Sequence, residues 1–420
     1  MLTVEETELL THTGPGTPMG NLFRRFWMPV LLPTELPEPD CTPVRVRILG
    51  EDLIAFRDSH GAVGLLSQNC PHRGASLFFG RNEECGLRCV YHGWKFDVNG
   101  NCVDMPNEPA ESNFKHKVQA TAYPAAEWGG LVWVYMGPKD KQPPLPQYAW
   151  CMHPRASETQ VRKWLQDSNY SQGTEGDLDS AHVSFLHRDF SAARARRPIS
   201  YGAPDLTVRE TDFGFVYGAR RPAPENQNYW RVTTFILPLF VEIPGASRDG
   251  AGHITLPMDD EHSWWFQFSP PPGPGEEPML KPGQLTPGDG DPAVVPHLGF
   301  LPNSWRRIRN RDNDYLLDRE MQRTVNYTGL PGNRVQDQAM TESMGAIPNR
   351  TQEHLGTTDA AIIFWRRYLM RLARELEQGQ APAILSHPEL FHALPIDEVT
   401  PESDFERLWQ SRRGEFLTLR

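Results

Sequence analysis

The stretch 67-SQNCPHRGASLFFGRNEECGLRCVYHGWKF-96 pairs two of its three cysteines with its two histidines within twenty-three residues, as Cys70-x-His72 and Cys89-x-x-His92. Thiolates suit zinc or iron–sulfur chemistry and imidazoles suit many metals, so this density reads as a metal site. All six cysteines of the 420-residue chain (Cys41, Cys70, Cys85, Cys89, Cys102, Cys151) fall in its first 151 residues. Disulfide frameworks belong mainly to short secreted domains. This chain is long and opens without a basic segment followed by an apolar run, so a cytoplasmic location and a metal are expected. A net charge of −11 offers no basic face for nucleic-acid phosphates. No apolar run nears the ~20 residues that span a bilayer.

Working outward, 43-PVRVRIL-49, 52-DLIAFR-57, 88-RCVYHGWKFD-97 and 130-GLVWVYMG-137 mix β-branched and aromatic residues between turn residues. They predict a small all-β domain over 41–140. Residues 1–40 read as an N-terminal segment packing on a second domain, 141–420. The proline-rich 138-PKDKQPPLPQY-148 marks the boundary. In the second domain 160–192 reads as helical, and 213-FGFVYGA-219, 230-WRVTTFIL-237 and 263-SWWFQFS-269 read as strands. Residues 270–292, rich in Pro and Gly, read as a long loop or lid. The stretch 357-TTDAAIIFWRRYLMRLARELEQG-379 reads as a capped amphipathic helix.

Two readings compete for the four ligands. A structural zinc site would use all four on one ion. A Rieske [2Fe–2S] cluster takes two Cys on one iron and two His on the other, and the interleaved order Cys-His, Cys-His favours that division. Pro71, Arg73-Gly74 and Gly93-Trp94 suit tight loops whose backbone N–H groups face sulfur. Residues 40–138 resemble Rieske ferredoxins and Rieske oxygenases. The resemblance implies a [2Fe–2S] cofactor on Cys70, His72, Cys89 and His92. Neither loop has the extra cysteine of the respiratory Rieske proteins, which implies the lower-potential type. Cys85 and Cys102 are then expected to be ordinary buried thiols.

A second constellation lies in 166-QDSNYSQGTEGDLDSAHVSFLHRDF-190, where Asp179, His182 and His187 follow D-x-x-H-x-x-x-x-H. On a helix i and i+3 share a face, and a slight distortion brings i+5 round. Two His and a carboxylate make the facial triad of non-haem Fe(II) enzymes; taken alone, two helical histidines are more often packed or solvated. Following the first signature, the order resembles the catalytic α subunit of Rieske non-haem iron oxygenases. The resemblance runs from 17-TPMGNLFRRFWMPVLL-32 to the C-terminal helix, and 326–362 resembles the phthalate dioxygenase-like subfamily. It implies His182 and His187 as Fe(II) ligands, and Asp179 as a catalytic bridge to a neighbouring subunit's cluster. It implies Asp337 as the third ligand, with Glu342 and Asp359 as rivals. Glu175 is read as a catalytic or proton-relay group near the iron, or as a solvated carboxylate.

The implied fold is α+β: an all-β Rieske domain, then a catalytic domain with an antiparallel sheet and covering helices of the helix-grip type. The implied function is the terminal oxygenase of a system that takes O₂ and electrons from NADH. A flavin/iron–sulfur reductase, with or without a ferredoxin, would be the partner, since no G-x-G-x-x-G follows a strand here. A homotrimer or hexamer is implied. The implied reaction is cis-dihydroxylation of an aromatic carboxylate such as a phthalate, with O-demethylation of a methoxy- or aryloxy-aromatic acid as the alternative. The pocket is expected between the histidine segment and the sheet over 205–268. Arg209, Arg231 and Arg248 are candidate carboxylate anchors, beside Ser180, while Arg220-Arg221 reads as solvated. From other classes, a Rieske electron carrier would need only about the first 140 residues, and a zinc-stabilised binding module only the four ligands.

Overall fold

A computed structural model describes all residues except 110, 154, 157–158, 193–196, 246–250, 270–298, 302–303 and 417–420. The loop expected over 270–292 and the candidate Arg248 lie outside the described residues.

The first eleven strands are β1 (Trp27–Leu31), β2 (Val44–Ile48), β3 (Glu51–Arg57), β4 (Val63–Ser67), β5 (Arg81–Glu83), β6 (Gly86–Arg88), β7 (Lys95–Phe96), β8 (Cys102–Asp104), β9 (Ala122–Tyr123), β10 (Ala125–Trp128) and β11 (Leu131–Tyr135). They form three antiparallel sheets, ordered β2-β3-β4-β9, β5-β6-β7-β8 and β1-β11-β10. The β5–β6 hairpin turns on Glu84-Cys85, both with positive φ (50° and 57°), as two-residue hairpin loops favour. Cys85 is therefore half-exposed, against the expectation of a buried thiol. Its Sγ lies 3.3 Å from His60 Nδ1. Residues 88–97 are not one strand. The chain leaves β6 at Arg88, turns through Gly93 (φ 81°) and re-enters pairing at Lys95.

Residues 1–40 divide. The helices Val4–Thr11 and Pro18–Phe23 pack against the long helix Ala360–Glu377, and Tyr170 donates its hydroxyl to Leu10 O at 2.6 Å. β1 instead pairs with β11, Trp27 opposite Tyr135. The proline-rich 138–148 is pinned by two indoles: Trp27 and Trp128 donate to the carbonyls of Pro143 and Pro146.

The remaining strands are β12 (Gln160–Gln166), β13 (Asp205–Thr211), β14 (Gly214–Ala223), β15 (Gln227–Ile236), β16 (Phe240–Glu242), β17 (Gly252–Pro257), β18 (Ser263–Ser269) and β19 (Ile396–Thr400). They make one sheet ordered β12-β18-β17-β16-β15-β14-β13, with β19 also paired to β15. The expected helix over 160–192 therefore begins with an edge strand. Val161, Lys163 and Leu165 alternate with Arg162 and Trp164, and Trp164 pairs with Trp265 across β18. The helix proper is Tyr170–Leu178, capped by the Asn169 side chain, which accepts from Ser171 N at 3.0 Å.

The helix Ala360–Glu377 buries Ala361, Ile362, Trp365, Leu369, Leu372 and Ala373 at three- and four-residue spacing, each Leu or Ile worth about 1.5–3 kcal/mol. Most of these join the main core. The cluster-loop region keeps a second core around Phe56, Leu87, Phe96, Cys70 and Cys89. Among the described residues no helix is long and apolar enough to cross a membrane.

Candidate metal centres and active site

The two ligand loops share a backbone plan. Gly74 N donates to Cys70 O and Gly93 N to Cys89 O, both at 2.9 Å. Cys70 N and Cys89 N bond back to Ala75 O and Trp94 O, both at 2.8 Å. Each loop thus spans five residues from Cys to a left-handed Gly, with φ 76° at Gly74 and 81° at Gly93, a conformation that costs glycine little. At Gly93 a Cβ would also lie 2.5 Å from Pro106 Cγ. The turns bring the His72 and His92 rings to 4.4 Å. Trp94 stacks on His72 at 4.2 Å and anchors its own indole on Asn107 Oδ1 at 2.7 Å. His72 Nδ1 is buried with no hydrogen-bond partner among the described residues, which fits a nitrogen reserved for a metal. Burial lowers the His92 imidazole, helped by His72 and Arg73, so its ring is neutral and can ligate. Burial, with the nearby Cys89 thiol adding to it, pushes Cys70 up to about 11. Metal binding would then release that proton.

The histidine pair sits on a turn rather than on one helical face. The helix stops at Leu178 and Asp179 turns extended. Asp179 Oδ1 accepts from Ala181 N (2.7 Å) and His182 N (3.2 Å), starting a short 3-10 helix, His182–Ser184. His187 follows, and the two Nε2 atoms lie 3.1 Å apart. The helix Asn333–Ser343 brings up Asp337, whose Oδ1 is 3.1 Å from His187 Nε2 and 3.8 Å from His182 Nε2. Ligand atoms of these three residues all lie within 4.8 Å of one another. Two imidazoles and a carboxylate so gathered suit a non-haem iron with open positions. Burial opposes ionisation of Asp337, but His187, Arg334 and His182 outweigh it and hold the carboxyl well below its usual range. Burial lowers His182, which favours the neutral imidazole that a metal needs. Two cavities adjoin the triad. One of about 260 Å³ lies between the turn and the sheet, lined by Ser180, His187, Tyr217, Arg231 and Thr233. The other, about 800 Å³, lies on the opposite side among Phe185, Leu317, Tyr327, Met340 and Met344.

Residues 26–123 match the Rieske [2Fe-2S] domain family, and residues 134–394 match the family described as LigXa C-terminal domain like. The chain belongs to the Rieske non-haem iron oxygenases. It is 40% identical to the phthalate 4,5-dioxygenase oxygenase subunit of Pseudomonas putida, over 91% of this chain and 88% of that one. It is 37% identical to the 3-chlorobenzoate-3,4-dioxygenase oxygenase subunit of Comamonas testosteroni, over 98% and 99%. It is 30% identical to a 5,5'-dehydrodivanillate O-demethylase oxygenase subunit of a Sphingobium species, over 97% and 89%. Its fold is similar to that of the carbazole 1,9a-dioxygenase terminal oxygenase from Nocardioides aromaticivorans (TM-score 0.57, 19% identity, 88% of this chain and 97% of that one). The oxygenase carries a [2Fe–2S] cluster and a mononuclear iron.

The other residues singled out in the oxygenase sequence are placed by their partners and by the two cavities. Glu175 lines the larger cavity, but its oxygens are engaged by two arginines. Arg350 Nη1 (2.8 Å) and Arg366 Nε (2.8 Å) and Nη2 (2.9 Å) take both of its oxygens, and both arginines also pair with Glu353. Burial would raise the Glu175 carboxyl, but the two guanidiniums hold it below its ordinary value. Glu342 is satisfied by the Tyr315 hydroxyl (2.6 Å) and Gln338 (2.9 Å), and Asp359 by Gly356 N. Neither belongs to the triad.

Arg209 pairs with Glu406 at the surface and lines neither cavity. Arg231 lines the smaller one, and its buried Nε has no hydrogen-bond partner among the described residues. Arg220 pairs with Asp205, but Arg221 is not solvated. Strand alternation turns it inward, where it is fully buried and Nη2 donates to Ser180 O (2.6 Å) and Oγ (3.1 Å).

Sequence reasoning missed Gln336. Its amide nitrogen donates to Leu330 O at 2.9 Å, so its Oε1 faces His187 Nδ1 at 2.8 Å. That places the His187 proton on Nδ1 and leaves the Nε2 lone pair for metal. The only signal was its place beside Asp337 in the Gln-Asp pair.

Proposed function

We propose that this oxygenase subunit cis-dihydroxylates an aromatic carboxylate of the phthalate type, with His182, His187 and Asp337 holding the iron. Cys70, His72, Cys89 and His92 would hold the cluster. Bound at these residues, the cluster would supply electron transfer from a reductase and the iron would supply O₂ activation. The observation that carries the substrate reading is the 260 Å³ cavity beside the triad, with an unengaged Arg231 nitrogen and the Ser180 hydroxyl on its walls. A guanidinium reads a carboxylate through its fork, and Tyr217 and Ile199 supply apolar wall for a ring. Relatives named for phthalate and chlorobenzoate dioxygenation support the same reading.

Asp179 would act as the bridge to a neighbouring subunit. Its Oδ2 lies 3.7 Å from His182 Nδ1, beyond a hydrogen bond, and the side chain is 26% exposed. Exposed Phe185, Phe190 and Tyr327 surround this turn, and exposed Phe79, Val90, Tyr91 and Phe114 surround the cluster loops. Two such patches on one chain suit a closed head-to-tail ring, a homotrimer or stacked hexamer.

NADH-driven O₂ uptake, with a reductase of the phthalate dioxygenase type, tests the reading on phthalate isomers, methoxybenzoates and phenoxybenzoates. A product heavier by two oxygens and two hydrogens is the expected result. Loss of CH₂ with formaldehyde release would make this an O-demethylase, the reading that the dehydrodivanillate relative supports. No coupled uptake with any acid would overturn the aromatic-carboxylate assignment.

A further inference from the structure

The two oxygens of Asp337 face different ways. Oδ1 looks at the histidines, while Oδ2 accepts from Arg334 Nη1 at 3.1 Å, one helical turn earlier. Arg334 is itself held. Its Nη1 lies 3.9 Å from Asp177 Oδ1, and its guanidinium sits 5.7 Å from the centre of the Trp265 ring. Asp177 is bonded to His253 at 2.6 Å, with both side chains only 4% exposed. Burial, with the charge of Arg334 adding to it, lowers the neighbouring Arg162 and Arg307 guanidiniums.

We propose that Arg334 is the positioning residue of the iron-site carboxylate: it occupies Oδ2, leaves only Oδ1 for the metal, and is braced by Asp177 and His253. The inference rests on Asp337 being a ligand. A carboxylate bound through both oxygens would take a further coordination position. Binding through one leaves one more position open for O₂ and substrate, in keeping with the open positions of a facial triad. A guanidinium suits the task because it does not deprotonate and its planar fork has fixed directions. Hydrogen-bond partners of metal ligands typically govern about 10–100-fold in metal affinity.

The test uses the full-length protein. Fe(II) affinity, iron content and the EPR signal of the ferrous site with nitric oxide are compared for wild type, Arg334→Gln, Arg334→Lys, Asp177→Asn and Asp337→Ala. Arg334→Gln should weaken Fe(II) binding about 10–100-fold and change the rhombicity of the nitric oxide signal, with the cluster's visible spectrum unchanged. Arg334→Lys should restore part of the affinity, and Asp177→Asn should shift the signal in the same direction but less. Wild-type affinity and an unaltered signal in Arg334→Gln overturn the proposal. Should that variant lack the cluster spectrum, as a misfolded chain would, unaltered signals in Arg334→Lys and Asp177→Asn overturn it instead. Iron retained by Asp337→Ala would instead remove the ligand reading itself.

Discussion

The four proposed cluster ligands come from twenty-three consecutive residues, and each Cys reaches its His through a five-residue turn closed by a left-handed glycine. The three groups of the second site come from one turn, with two histidines five residues apart, and from a helix 150 positions beyond His187. The first site is held by its own loops, a short hairpin and a separate small core. The second exists only while the helix Asn333–Ser343 is docked beside the helix Tyr170–Leu178. Gln172 secures that docking by donating to Thr341 O at 2.7 Å and Gly345 O at 2.8 Å. A local site should tolerate damage elsewhere; a site assembled across the chain should register it.

Substitution of a ligand on either side gives the largest effects. Asp337→Ala should lose the mononuclear iron, keep the cluster's visible absorption, and lower turnover beyond the ~100-fold reach of an outer partner. Iron analysis beside the absorption spectrum checks it, and full iron retention would return Glu342 or Asp359 to contention. Cys70→Ser is the mirror experiment: a bleached protein that still binds Fe(II). Loss of both metals there would show that the two sites are not independent.

Smaller effects follow from residues that touch the ligands. Asp179→Asn should retain both metals and slow single-turnover oxidation of the cluster, by about 10–100-fold; unchanged rates would remove the bridge. Gln336→Ala frees the His187 ring and should weaken Fe(II) binding by about 10-fold, at the low end of such effects, as read by metal titration.

Glu175→Gln should change metal content least and stability most. It leaves two buried guanidiniums short of a counter-charge, a loss of about 3–5 kcal/mol, visible in the melting temperature. The Glu175 carboxyl is lowered on folding, so its contribution is complete above the ordinary value of 4.5 and fades as pH falls toward its folded value. The melting-temperature gap between wild type and Glu175→Gln should therefore narrow on acidification.

Local chemistry was legible residue by residue. The cluster loops, the strands near 52–57, 131–135 and 263–269 and the helix within 357–379 all announced themselves by spacing and periodicity. Where a reading failed, a longer-range force had intervened. β12 was hidden because an edge strand and the helix after it form one unbroken polar–apolar stretch, and only pairing with β18 makes residues 160–166 extended. Arg221 reads as solvated from its place at a strand end, yet it turns inward to Ser180, 41 positions away. Glu175 was drawn toward the iron by its nearness to Asp179 in sequence, yet Arg350 and Arg366 reach it from the far end of the chain.

The sequence by itself determined what needs only neighbours: which residues could ligate metal, the two glycine-closed loops and the strand and helix periodicity of the two domains. Turn geometry and side-chain periodicity act over a few residues, and a single chain displays them. Tertiary structure alone decided which oxygen of Asp337 faces the histidines, which arginines are buried, and that Gln336 and Arg334 flank the metal-binding groups. Those outcomes depend on packing between segments up to 191 residues apart, where burial makes each unpaired charge or polar atom costly and so selects its partner.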